Sequence, residues 1–122
     1  MAVSFRERLF AHGLHTAARL ALLVATPLTA KRLVDGLGRR LPPYPESGAA
    51  AAAAHLLRGS GACLSRALTI AARLPRSEVV FGVDPRGSAG LAAHAWVELE
   101  GGQVEGLVAG DVRRFEEIAR LR

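Results

Sequence analysis

The sequence predicts an α+β domain in which helices lead, a small antiparallel sheet follows and one more helix closes the chain. Two observations carry that expectation. Apolar residues recur at intervals of three and four up to Leu74 and alternate beyond Pro75; the first spacing lines a helix face, the second a strand face. Proline and glycine clusters at residues 41–45, 59–61 and 84–88 cut the chain into pieces of element length. At 122 residues the chain suits one domain, 1–122, with a helical segment 1–45 ahead of a core 46–122.

Ser4 and Glu7 form a capping box: the hydroxyl accepts a free amide and the carboxylate reaches back. Phe5, Leu9, Leu14, Ala17, Ala18, Ala21 and Leu22 then follow helical spacing as the stripe of a first helix. Thr26 caps a second, with Pro27 at its first position and Gly36 and Gly38 near its end. Leu41-Pro42-Pro43-Tyr44-Pro45 is extended, because a residue before proline avoids the helical conformation. Ser47 caps an alanine-rich helix that runs to about Leu57, and Gly59-Ser60-Gly61 is a flexible connector. A further helix spans Ala62 to Leu74, with Leu64, Ala67, Leu68, Ala71 and Ala72 inward, until Pro75 stops it. Glu78–Val83 reads as a strand and 84–88 as a turn. Leu91–Glu100 is a second strand, with His94, Trp96 and Glu98 on one face and Ala95, Val97 and Leu99 on the other. After a glycine turn at Gly101-Gly102, Gln103–Val108 is a third strand, and Asp111 caps a last helix through Phe115, Ile118 and Leu121.

Composition removes several functional classes. Half of the residues are hydrophobic, which excludes disorder over the whole chain, but only 5% are aromatic, so Leu, Val and Ala must build the core. Cys63 is the single cysteine, so no disulfide scaffold exists. Residues 1–61 carry eight basic and three acidic side chains, whereas 62–122 carry eight of each, so the whole excess of +5 lies in the first half. Fifteen of the 16 basic residues are Arg, which suits bidentate contacts with carboxylate or phosphate. Nucleic-acid binding would fit that charge, yet no aromatic interleaving, zinc spacing or recognition helix supports it. Genomic base composition explains the Arg and Ala bias equally well. The uncharged stretch Leu20–Ala30 has 11 residues, against the roughly 20 needed to span a bilayer. No small-x-small cleavage site follows it, so the expected location is cytoplasmic, with a reduced thiol. His12 and His15 share a helix face without a further acidic or thiol group, His55 stands apart, and the glycine pairs match no phosphate-binding pattern; neither metal nor cofactor is expected.

One constellation carries chemistry. Cys63 begins a predicted helix, where free amides and the helix dipole favour the nucleophilic thiolate. His94 follows 31 residues later in a strand and is suited to take the thiol proton and return it to a leaving amine. Alone, Cys63 reads as a small core residue and His94 as a hydrogen-bonded one. Together they follow the chain order of papain-like and transglutaminase-like enzymes.

The run Gly61-Ala62-Cys63-Leu64-Ser65-Arg66-Ala67-Leu68, then Val79–Val83, then Ala93-His94-Ala95-Trp96-Val97-Glu98 resembles the stand-alone leader peptidases of lasso-peptide biosynthesis, and Asp111–Phe115 resembles their closing segment. The likeness covers about residues 47–118. It implies a papain/transglutaminase-like fold and a cysteine protease that cuts the leader from a ribosomally made precursor peptide. It also implies a separate leader-recognition protein and an ATP-dependent lasso cyclase as partners. By the same likeness Cys63 is the nucleophile, His94 the base, and Trp96 sits beside the site. The family's acidic third member falls near Gly106, where this chain has Glu105 one residue away. Register decides its use. With Glu100-Gly101 as the turn, Glu105 lies opposite Trp96 and diagonal to His94, about 7–8 Å away at the backbone. With Gly101-Gly102 as the turn it faces Glu98, and Asp111 is the substitute. The Cys63 amide is the expected oxyanion donor. An inactive scaffold subunit of the same maturation complex and a basic nucleic-acid-binding protein are the competing readings.

Overall fold

Ser4 Oγ accepts the Glu7 amide at 3.1 Å and starts α1, Phe5–Val24, as its capping pattern requires. In a computed structural model of the chain, residues 4–57, 63–84, 92–99, 102–103 and 116–122 are described. Thr26 Oγ1 accepts the Thr29 amide at 3.3 Å and opens α2, Pro27–Gly38, with proline in the first turn. Next come α3, Ser47–Leu56, and α4, Cys63–Ala71. The cap of α3 differs from the expected one: Glu46 holds the N-cap position and Ser47 is already helical, so the alanine run forms its helix without a side-chain cap. α4 stops three residues before Leu74. Its last turn tightens instead, the Arg73 and Leu74 amides donating to Ile70 and Ala71 carbonyls ahead of Pro75.

The helices cover one side of an antiparallel sheet. Its strands are β1, Ser77–Asp84, β2, Ala92–Leu99, β3, Gly102–Gln103, and β4, Glu116–Leu121, in the spatial order β3-β2-β1-β4. Residues paired across β1 and β2 share a face, so Val79, Val97, Phe81 and Ala95 present one surface while Val80, Trp96, Glu78 and Glu98 present the other. Leu99 pairs with Gly102 and Glu98 with Gln103, leaving Glu100 and Gly101 between the strands. That is the first of the two registers considered above.

The last segment corrects the sequence expectation. Glu116–Leu121 is a strand on the free edge of β1, not the end of a helix. Ile118 and Leu121 suggested helical spacing, but Phe81 pairs with Ala119 and Gly82 with Glu117, so Ile118 is the extra residue of a bulge and stays 66% exposed. Ala119 and Leu121 then align with Phe81 and Val79 on the apolar face, while Arg120 on the other face reaches Glu98 at 3.0 Å and Glu78 at 3.3 Å. Pairing covers an edge that would otherwise expose a row of backbone groups. The expected third strand is described only at Gly102–Gln103; residues 104–108 and the Asp111–Phe115 stretch lie outside the described residues.

Side chains from α1 to α4 join those of β1 and β2 in one hydrophobic cluster, with Leu57, Leu68, Ile70, Val34, Val79, Val80 and Val97 fully buried among many alanines. Small residues let the helices approach. A Cβ on Gly38 would sit 2.6 Å from the Ala72 carbonyl oxygen, so only glycine fits where α2 crosses the end of α4.

Arg73 is the main polar tie. Its side chain is 1% exposed, and its two terminal nitrogens donate to Glu7 at 2.9 and 3.1 Å, which is why Glu7 does not reach back to complete the capping box. Nε donates to the Pro42 carbonyl at 2.9 Å, and the guanidinium lies over the rings of Tyr44 and Phe10 at 4.4 and 5.3 Å. Removing one partner of a buried pair costs about 3–5 kcal/mol. Because the Glu7 side chain is itself 37% exposed, Glu7→Ala is expected to cost less than that, about 2 kcal/mol of unfolding stability in urea titrations; a change within roughly 0.5 kcal/mol, typical of surface positions, would show that the guanidinium needs no anion.

Candidate active site

α4 opens at Cys63, and its half-buried sulfur faces β2 rather than solvent alone. The Ala95 N–H donates to Cys63 Sγ at 3.3 Å. That nitrogen is two bonds from His94 Cα, so the sulfur lies no more than about 6 Å from the histidine's α-carbon. His94 is itself half-buried on β2. Folding has thus brought the sulfur and the backbone of the histidine strand together across 31 residues of chain.

The first turn of α4 is held from the opposite side. Ser65 Oγ and His15 Nε2 share a hydrogen bond of 2.9 Å, with both residues buried. Thr69 Oγ1 donates to the Ser65 carbonyl at 2.7 Å, so the turn after the cysteine has polar partners on both its side chain and its backbone. Burial pushes the His15 imidazole below its ordinary value, with the Arg19 and Arg66 cations and His12 adding to the effect. It belongs to the fold as a neutral ring. From the sequence alone it stands only as a rejected metal-ligand candidate on the same face as His12. The available signal was its place in the series Ala11, Leu14, His15, Ala18, which is the stripe that α1 buries. The stripe read from the sequence was only partly right: Leu14 and Ala18 point inward, but Phe5 and Leu9 are 76% and 57% exposed.

Trp96 is buried beside this region, and its indole N–H donates to Glu98 at 2.9 Å. Glu98 in turn pairs with Arg120, so the polar end of the tryptophan is linked to β4. Glu105 and Asp111, the two candidates for a third catalytic member, lie outside the described residues. His12 and His55 are exposed, and no three His, Cys, Asp or Glu side chains among the described residues are grouped to hold a metal ion. No helix among the described residues is long and apolar enough to cross a membrane. A cleft of about 670 Å3 lies between Lys31, Gly38, Arg76 and Arg122 at the other end of α4 from Cys63.

The sequence model of the transglutaminase-like superfamily matches residues 2–120. The chain belongs to that superfamily. Neither the curated proteins nor the solved structures give a match to it. Superfamily membership takes in the helical first third as well as the sheet, which fits the way His15 of α1 supports the turn that begins with Cys63.

The neutral state of His15 has a pH consequence. An unfolded histidine titrates near 6.5, and the folded one titrates lower. Below 6.5 the unfolded chain therefore binds more protons, so this contribution to stability is complete above that pH and is lost as pH falls through the folded value. Urea unfolding at pH 7.5 and 5.5 should show acid destabilisation that is smaller in His15→Gln. Equal acid sensitivity of the two proteins would assign the effect to other groups.

Proposed function

We propose that this chain is a cysteine peptidase that removes the leader from a lasso-peptide precursor. The observation that carries the proposal is the Ala95 amide on Cys63 Sγ, since it brings the one thiol of the chain to the strand position next to His94. The resemblance of residues 61–68 and 93–98 to lasso leader peptidases supplies the substrate class. In this reading the Cys63 thiolate attacks the carbonyl at the leader–core junction, and the resulting oxyanion meets the Cys63 backbone amide at the start of α4. His94 holds the proton taken from the thiol and delivers it to the departing amine of the core. Water, deprotonated by the same imidazole, then opens the thioester and releases the leader as a carboxylate. Each step balances with water as the only co-reactant.

An acidic residue would orient the imidazole rather than break bonds. Glu105, one residue from the family's acidic position, is the candidate for that role, with Asp111 as the alternative. The partners are a leader-recognition protein, the precursor peptide and a cyclase that consumes the freed core, and the cytoplasm is the compartment that keeps the thiol reduced. The displaced acid near Gly106 favours one second reading, an inactive scaffold subunit of the same complex.

The test is incubation with a leader–core precursor, with and without the recognition protein, read by mass. Cleavage at one bond, blocked by iodoacetamide and absent in Cys63→Ala, is expected. His94→Ala should slow it by about 10²–10⁴-fold, the usual range for a general acid–base. Precursor binding without cleavage by the unmodified chain would instead support the scaffold. Glu105→Ala should lower the rate by roughly tenfold or more, as loss of an orienting acid does; an unchanged rate moves the role to Asp111.

A further inference from the structure

The outward side of the α1–α2 hairpin is apolar where a helix pair at a protein surface is ordinarily polar. Leu9, Leu33 and Leu37 are 57%, 53% and 47% exposed. Between the two helices Leu9, Phe10, Gly13, Ala17, Leu37 and Leu41 enclose an open groove of about 340 Å3, with Arg40 beside it. Gly13 lines this groove from inside a 20-residue helix. Glycine there costs roughly 1 kcal/mol relative to alanine, and a Cβ would meet nothing within 4 Å among the described residues, so their packing does not require it. What the missing side chain provides is depth for one inserted from outside.

The charges around the groove have one sign. The only carboxylates from Ser4 to Arg40 are Glu7 and Asp35, and both are engaged internally, by Arg73 and Lys31. The other charged residues are Arg6, Arg8, Arg19, Arg32, Arg39 and Arg40. Arg6 lies over the Phe10 ring at 5.5 Å, so groove and cations adjoin.

We propose that this groove docks an amphipathic helix of a separate protein, whose leucine-type side chains enter beside Gly13 and whose flanking carboxylates meet Arg6 and Arg40. The proposal does not depend on the peptidase reading. A second copy of this chain would bring a face of like charge, and a planar lipid surface cannot fill a concave groove.

The probe is a 15-residue helical peptide with leucines at positions i, i+3, i+4 and i+7 and glutamates on both flanks, compared with a lysine version and a scrambled one by fluorescence anisotropy. The glutamate peptide should bind saturably and at least tenfold more tightly than either control. Gly13→Leu, which fills the groove, should weaken binding at least tenfold, while Gly13→Ala raises the Tm. Arg40→Glu should shift preference towards the lysine peptide and keeps the test open if Gly13→Leu fails to fold. The proposal is overturned by absence of saturable binding, by equal affinity for the glutamate and lysine peptides, or by binding unaffected in Gly13→Leu. It is also overturned by dimerisation or anionic-vesicle binding that Gly13→Leu abolishes, since the groove would then belong to a second copy or to lipid.

Discussion

A guanidinium buried to 1% exposure must be surrounded by acceptors, and the Arg73 side chain draws three separate parts of the chain to itself. Glu7 brings the first turn of α1, the Pro42 carbonyl brings the extended segment, and the Tyr44 and Phe10 rings close over the remaining face. Tyr44 also donates its amide to the Arg73 carbonyl at 2.7 Å, so residue and segment hold each other in both directions. An alanine-rich core supplies little shape of its own. The ionic tie decides where α1 and the proline segment sit at the C-terminal end of α4, and the apolar contacts fill in around it.

His15 and Ser65 do the same near the other end of α4. With α1 held at both places, the first turn of α4 has a set position relative to β2, and the cysteine meets the Ala95 amide. The described pairing of β3 with β2 ends at Glu98 and Gln103, so at Ala95 the backbone donor goes to sulfur rather than to a described neighbouring strand. The groups that hold the helix are thus within about one turn of the sulfur.

Much of this was legible in the sequence because local rules agreed with the final packing. Ser4, Thr26 and Pro27 marked helix starts, Pro75 marked the change of period, and alternation in Leu91–Glu100 set the faces of β2. The nearness of Cys63 to the Ala95 amide fits the chain order of a helix-start cysteine followed by a strand. What could not be read depends on partners far along the chain. Ser4-x-x-Glu7 looks like a complete capping box until Arg73, 66 residues away, competes for the carboxylate. Ile118 and Leu121 suit a helix until the open edge of β1 offers backbone pairing and a bulge turns Ile118 outward. His15 was unremarkable as a residue type, and only its place on the buried stripe distinguished it from the exposed His12. Phe5 and Leu9 fit the same helical spacing as the true core positions, so periodicity alone did not separate an inward stripe from an outward one.

The two ties between α1 and α4 also set a vertical offset. Residue 7 meets residue 73 and residue 15 meets residue 65, so the helices run in opposite directions, with Cys63 level with about residue 17. At 1.5 Å per residue, the last seven residues of α1 overhang the sulfur by roughly 10 Å. Leu20, Leu23 and Val24 stand on that overhang, 59%, 80% and 84% exposed. Cys63 thus lies level with the beginning of an exposed apolar end of α1.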